Sequence, residues 1–97
     1  MHFEWDPGKE KINSAQHRVS FTEACQVFGD PNQLNLFDSD HSEDEDRWVV
    51  IGEVPTMKIM VVIHTMRQVA DLQKVRIISA RKATKKERET YYVRKTK

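Results

Sequence analysis

The chain has little of what many small catalytic or secreted domains are built on. One cysteine in 97 residues excludes a disulfide framework. Cys25 falls in an apolar helical pattern with Ala24, Val27 and Phe28, so it reads as a small core residue in a reducing compartment rather than a nucleophile. Three scattered glycines leave no phosphate-cradling loop of the Walker or dinucleotide kind, and no serine sits in a nucleophile elbow. Runs of about 18 apolar residues are missing, and the amino end MHFEWDPGKEK lacks the apolar centre of a secretory signal. The expectation is a soluble cytoplasmic protein with no membrane partner.

Metal-ligand patterns are also missing. His2, His17, His41 and His64 show neither H-x-x-x-H spacing nor a Cys/His grouping, so no metal and no cofactor is expected. Asp38, Asp40 and Ser42 imitate the first ligands of a calcium loop. However, Glu43 stands where the turn needs glycine and Val49 where the bidentate glutamate belongs.

What is present fits one small globular domain over residues 1–97, with 38% apolar residues. The net charge of +1 hides a strong asymmetry. Residues 1–48 carry four basic and eleven acidic groups, whereas residues 49–97 carry twelve basic and four acidic ones. The carboxyl half is therefore the half suited to a polyanion.

Patterning gives the elements. Phe3 to Trp5 reads as a short strand, and Asp6-Pro7 starts a helix running to about His17, with Lys9, Asn13 and His17 on one polar stripe. Ser20 and Glu23 have capping-box spacing and open a second helix that turns Phe21, Ala24, Cys25, Val27 and Phe28 inward, until Gly29-Asp30-Pro31 stops it. Leu34 to Phe37 is a strand, and the acidic run Asp38 to Asp46 is an exposed connection. Three β-branched strands follow, Arg47–Val54, Lys58–His64 and Val75–Ala80, with Thr65 to Lys74 as a polar connection. Thr84 and Glu87 repeat the capping-box spacing and begin a last, basic helix to about Arg94. The expected fold is α+β: a small antiparallel sheet packed by two N-terminal helices, with a C-terminal basic helix.

The richest stretch is RIISARKATKK, Arg76 to Lys86, where a strand end and a helix start gather Arg76, Arg81, Lys82, Lys85 and Lys86. Metal-free RNA cleavage needs a base for the 2′-hydroxyl, an acid for the departing 5′-oxygen, and cations for the phosphate. Glu45 and Arg47 at the mouth of one strand, His64 at the end of the next, and Arg76 and Arg81 around the third supply those types. The alternative is a non-catalytic module that holds nucleic acid or a protein partner with its basic half.

Taken together, FEWDPGK with Asn13 and His17, VSFTEA, Phe28 with Asp30-Pro31, DHSEDEDR with Gly52, HTMR, and RIISARKATKKERETYY resemble the BrnT toxins of bacterial toxin–antitoxin operons over nearly the whole chain. The resemblance implies a fold like that of RelE-type ribonucleases, endonucleolytic RNA cleavage that halts translation, and neutralisation by a BrnA-type antitoxin through which alone the toxin meets DNA. Residue by residue it points to Glu45, Arg47, His64, Arg76 and Arg81 as catalytic, with Lys9, Arg67, Lys82, Lys85, Lys86 and Arg88 as RNA contacts. One departure falls at the end of the first helix, where the family usually has Lys-His-Gly and this chain has Gln16-His17-Arg18. A glycine there suits a left-handed cap, so Arg18 must either adopt that strained conformation or end the helix differently.

Overall fold

The structure is a computed structural model that describes residues 1–41 and 45–96; the middle of the acidic run, including Ser42 and Glu43 of the calcium-like pattern, lies outside them. Among the described residues the order is β1 (His2–Glu4), α1 (Pro7–His17), α2 (Phe21–Cys25), β2 (Leu34–Phe37), β3 (Arg47–Glu53), β4 (Ile59–Val69), β5 (Leu72–Lys82) and α3 (Lys85–Lys95).

The caps form as the sequence predicts. Asp6 Oδ1 accepts from the N–H groups of Gly8 and Lys9 at 2.8 and 3.2 Å, and Ser20 Oγ accepts from Glu23 N–H at 3.0 Å. The helix expected through Phe28 is shorter, because α2 tightens after Cys25 into a 3₁₀ turn, Gln26–Gly29. Arg18 takes the first of its two options: it sits at φ 58°, ψ 34°, and its N–H donates to Ser14 O at 2.8 Å. An L-residue other than glycine pays roughly 1–2 kcal/mol in that conformation. Arg18→Gly should therefore raise stability by about 0.5–1 kcal/mol, less than the full strain because glycine also frees the unfolded chain; urea denaturation checks this.

The strands form one sheet in the order β1-β5-β4-β3-β2. It is mixed rather than antiparallel, since β1 runs parallel to β5, with Phe3 beside Val75 and Glu4 beside Arg76. A parallel neighbour needs a long connection, and residues 5–71 lie between these two strands. A second difference concerns Thr65 to Lys74. These residues extend β4 and β5 into a long hairpin that turns at Ala70-Asp71, with Ala70 at φ 54°. The turn lacks the Asn-Gly or Asp-Gly pair that marks such hairpins in a sequence, so only the pairing reveals it.

Pleating divides the side chains between two faces. On one, Val50, Met60, Val62, Val75, Ile77 and Ala80 pack with Val19, Phe21, Ala24 and Val27 beneath α1 and α2. On the other, Leu34, Ile51, Ile59 and Val61 pack with Ala83 and Tyr91 under α3. Helix α3 thus covers only one end of the second face. The register of β4 and β5 slips between Ile63, opposite Ser79, and His64, opposite Ile77, leaving Ile78 as the extra residue of a bulge. That slip reverses the parity of β5, so Arg76 and Arg81, five apart and otherwise on opposite faces, share the second face.

Two buried polar groups tie the layers together. Asn13 in α1 donates to Ala80 O at 2.8 Å and accepts from Ala80 N–H at 3.3 Å. Its amide thereby satisfies the edge of β5 beyond the three-residue reach of β1, so the polar stripe of α1 is partly an inward one. Asp30 receives Glu53 N–H at 2.8 Å and the Tyr91 hydroxyl at 2.5 Å on Oδ2, and Asn32 N–H at 2.8 Å on Oδ1. Burial raises its pKa, but these hydrogen bonds together outweigh it and hold the carboxyl below its ordinary value. Gly52 lies against this junction, where an added Cβ would stand 2.8 Å from Val27 Cγ1 and 3.2 Å from Asp30 Oδ2.

Candidate active site

The end of the second face that α3 leaves open carries the charge. Two rows of side chains cross it. Strand pairing sets Arg47, Thr65, Arg76 and Glu4 side by side on β3, β4, β5 and β1. One step towards the hairpin tip, Arg67, Lys74 and His2 form the next row. Glu4, Glu45, Thr65, Arg67, Lys74 and Arg76 line an open pocket of about 240 Å³. Adjacent strands lie about 4.8 Å apart, so Arg47 and Arg76 flank Thr65 at Cα positions roughly 10 Å apart, a span their side chains can close over one phosphate group. Arg67 crosses towards Glu4, with Nη2 3.7 Å from Oε1.

Of the residues expected from sequence, the structure brings Arg47, Arg67, Arg76 and Glu45 to this one end of the face. Glu4, Thr65 and Lys74 were missed. Alternation in β1 already turns Glu4 away from Phe3 and Trp5, but Thr65 and Lys74 lay in a segment read as a connection.

Arg81 is elsewhere. It pairs across from Val61, four β4 residues from Thr65 and hence about 13 Å from the pocket row. There it forms a two-pronged ion pair with Glu87, Nη1 to Oε1 at 2.7 Å and Nη2 to Oε2 at 2.9 Å. Glu87 Oε1 also accepts from Thr84 N–H at 2.8 Å, while Thr84 Oγ1 accepts from Glu87 N–H, completing the capping box of α3. The arginine therefore fastens α3 to β5 with its charge already matched. Its hydrogen bonds are the main reason the Glu87 carboxyl is lowered from 4.5 to about 2. A depressed carboxylate contributes stability above its unfolded value and loses it on protonation, so this contribution is present above about pH 4.5 and fades as pH falls towards 2. Arg81→Ala should cost about 1–2 kcal/mol near neutrality, allowing for solvent screening of the partly exposed pair, and should flatten the acid limb of the stability curve in that window. Urea unfolding from pH 7 to pH 2.5 measures both.

His64 does not join the pocket. It projects from the opposite face, fully buried, with its ring edge-on to Phe28 at 4.8 Å and Nδ1 3.3 Å from Val62 O. Burial lowers its pKa against a smaller opposing effect of that backbone contact, so the ring is neutral at physiological pH. The histidine expected to move a proton is a core residue. Nor do the outlying cations line the pocket. Lys9 is exposed on α1, Lys85 is exposed at the start of α3, and Arg88 donates to Ala83 O at 3.2 Å. Lys86 lines a shallow groove with Leu36, Val49 and Ile51, and Lys82 lies at the same end of the sheet as α3.

The model of the family described as "Ribonuclease toxin, BrnT, of type II toxin-antitoxin system" matches residues 5–87. The chain belongs to the BrnT family. It is accordingly a ribonuclease toxin of a type II toxin–antitoxin system, and endoribonuclease activity is supported by the family. The fold is similar to that of the Brucella abortus ribonuclease toxin BrnT in its 1.1 Å crystal structure, with a TM-score of 0.63 and 24% identity over 88% of this chain and 99% of that one. No curated protein matches the chain. The BrnT match spans residues 5–87, so it includes β2 to β5 and the Arg81–Glu87 pair but neither β1 nor most of α3. Among the described residues no helix is long and apolar enough to cross a membrane.

Proposed function

We propose that this BrnT toxin cuts RNA at the pocket on the open end of the sheet, without a metal ion, and so inhibits translation. The observation that carries the reading is the row Arg47–Thr65–Arg76, with Arg67 and Lys74 beside it and carboxylates at both ends. Arginine forks stabilise the phosphate as it gains charge in the transition state, and a fixed cluster of them needs no rearrangement at that moment. Arg76, in the centre, is the main stabiliser, while Arg47 and Arg67 hold the flanking phosphates. Glu45, exposed at the rim on the β3 side, is available for proton exchange with water. Arg81, matched by Glu87, leaves this set and acts through α3, and His64 leaves it because it faces the other layer. Lys9, Lys82, Lys85, Lys86 and Arg88 remain as peripheral contacts along the RNA.

The partner in this reading is a BrnA-type antitoxin that covers the basic face by charge complementarity and carries the complex to DNA. The kinship in fold to RelE-type ribonucleases, the cytoplasmic location and the reading of residues 1–97 as a single BrnT-like toxin domain belong to the same proposal.

The test is incubation of the purified chain with free and with ribosome-bound mRNA in the presence of a chelator. Cleavage products ending in 2′,3′-cyclic phosphate are expected. Intact RNA that is nonetheless bound, with affinity falling steeply as salt rises, would select the non-catalytic binding module instead.

A further inference from the structure

We propose that Glu4, at the end of β1, is the general base that takes the 2′-hydroxyl proton; this deepens the reading of the pocket as the RNA-cleaving site and rests on it. The step needs a proton acceptor within reach of a phosphate held over Thr65 and Arg76. The pocket lining narrows the choice. Its titratable groups other than arginine are Glu4, Glu45 and Lys74. His64 lies on the opposite face, and His2 shares the row of Lys74 without lining the pocket. An ammonium has no lone pair to offer, so the acceptor is one of two carboxylates.

The fold distinguishes them. Glu45 precedes β3 and is exposed, whereas Glu4 is held on a strand whose residues pair one by one with β5. Phe3 anchors that strand from the other side, its ring 5.2 Å from that of Phe28, and Trp5 packs edge-on to Phe21 at 5.9 Å. Between these two half-buried rings Glu4 is turned to the pocket face, beside Arg76 and 3.7 Å from Arg67. A base held on a rigid element keeps its reach to the substrate constant, which is what proton transfer rewards.

In the step itself, a Glu4 carboxylate oxygen accepts the 2′-hydroxyl proton while the 2′-oxygen forms a bond to phosphorus. The bond from phosphorus to the 5′-oxygen breaks, and that oxygen leaves with a proton from water. Arg76 carries the phosphate charge throughout. Glu4 then returns its proton to solvent, and the products are a 2′,3′-cyclic phosphate and a 5′-hydroxyl.

The charged groups facing Glu4 are Arg67 from β4, Arg76 and Lys74 from β5, Glu45 from the segment before β3, and His2 on its own strand, with Arg47 at the far end of the row. Asp6, just beyond β1, also feels Arg76. Removing the Glu4 charge from so basic a pocket should tighten RNA binding while it slows the chemistry.

The experiment compares the full chain with Glu4→Gln and Glu4→His in RNA cleavage from pH 4.5 to pH 8, alongside RNA binding at fixed salt and melting temperature. Glu4→Gln is expected to cut about 10²-fold more slowly with equal or tighter binding. Glu4→His is expected to restore part of the rate with its acid limb moved up towards about 6.5, the imidazole range. Cleavage by Glu4→Gln within about threefold of the parent would overturn the proposal. So would an acid limb that disappears in Glu45→Gln and persists in Glu4→Gln, or a Glu4→His profile identical to that of Glu4→Gln. A parent chain that binds RNA and never cuts it would bring down the ribonuclease site as a whole, an outcome separable from the others.

Discussion

Arg76→Ala should lower RNA cleavage by about 10³-fold while leaving the melting temperature within about a degree of the parent. The size follows from its place. It stands between Thr65 and Glu4 in the row over which the phosphate would lie, and loss of one preorganised donor to a developing oxyanion costs about 10²–10³-fold in well-studied enzymes. The long, bidentate guanidinium justifies the upper end of that range. Stability should change little, because Arg76 is only half-buried and lies on the stretch of sheet that α3 does not cover. Arg76→Lys is expected to recover less than a tenth of the lost rate, since an ammonium keeps the charge but not the fork. Arg81→Ala is the informative comparison. It should lose stability while cutting RNA at close to the parent rate per folded molecule, and an equal loss of cleavage in the two variants would put Arg81 back into the site.

Asp30→Ala should destabilise the fold by about 3–4 kcal/mol, enough to leave a chain of this size marginal. One carboxylate serves Asn32, Glu53 and Tyr91, so its removal strands a β3 backbone donor and a tyrosine hydroxyl on a fully buried ring. Each bond to a charged acceptor is worth roughly 1.5–3 kcal/mol, and an unsatisfied buried donor adds its desolvation cost. Tyr91→Phe removes one bond of the three and should cost about 1.5–2 kcal/mol. Because the native carboxyl titrates below its ordinary value, the Asp30 contribution is full above the unfolded-state carboxylate range and is lost as pH falls through the native value. Chemical denaturation of both variants, with hydrogen exchange of α3 amides, would show whether the helix undocks first. Equal protection of α3 in Asp30→Ala and parent would refute the anchoring role.

The last helix illustrates how far side-chain composition can mislead. With Tyr91, Tyr92 and Val93 as its large uncharged residues, α3 looks as if it buries little, and its face is indeed mostly exposed. Yet a single tyrosine, an ion pair and a complete capping box fasten it across β3 and β5. Asp30, its partner, reads in the sequence only as part of a Gly-Asp-Pro helix stop, because the contact spans 61 positions.

Local chemistry was enough for the helix starts at Asp6, Ser20 and Thr84, the β-branched cores of β3 to β5, and the concentration of positive charge in the second half. The order of motifs was enough for the family. Those features depend on neighbours a few residues apart, and the sequence carries them directly. Which charges meet was decided only by the tertiary structure. A one-residue bulge after Ile77 puts Arg76 and Arg81 on one face, four residues of β4 then separate them, and a hairpin without a turn signature brings Arg67 and Lys74 to the pocket. Pleat parity is likewise what sends His64 into the core and, on the parallel edge strand, turns Glu4 outward. In a sheet a shift of one residue exchanges the faces of everything beyond it, and that shift is fixed by long-range pairing rather than by any residue's own preference.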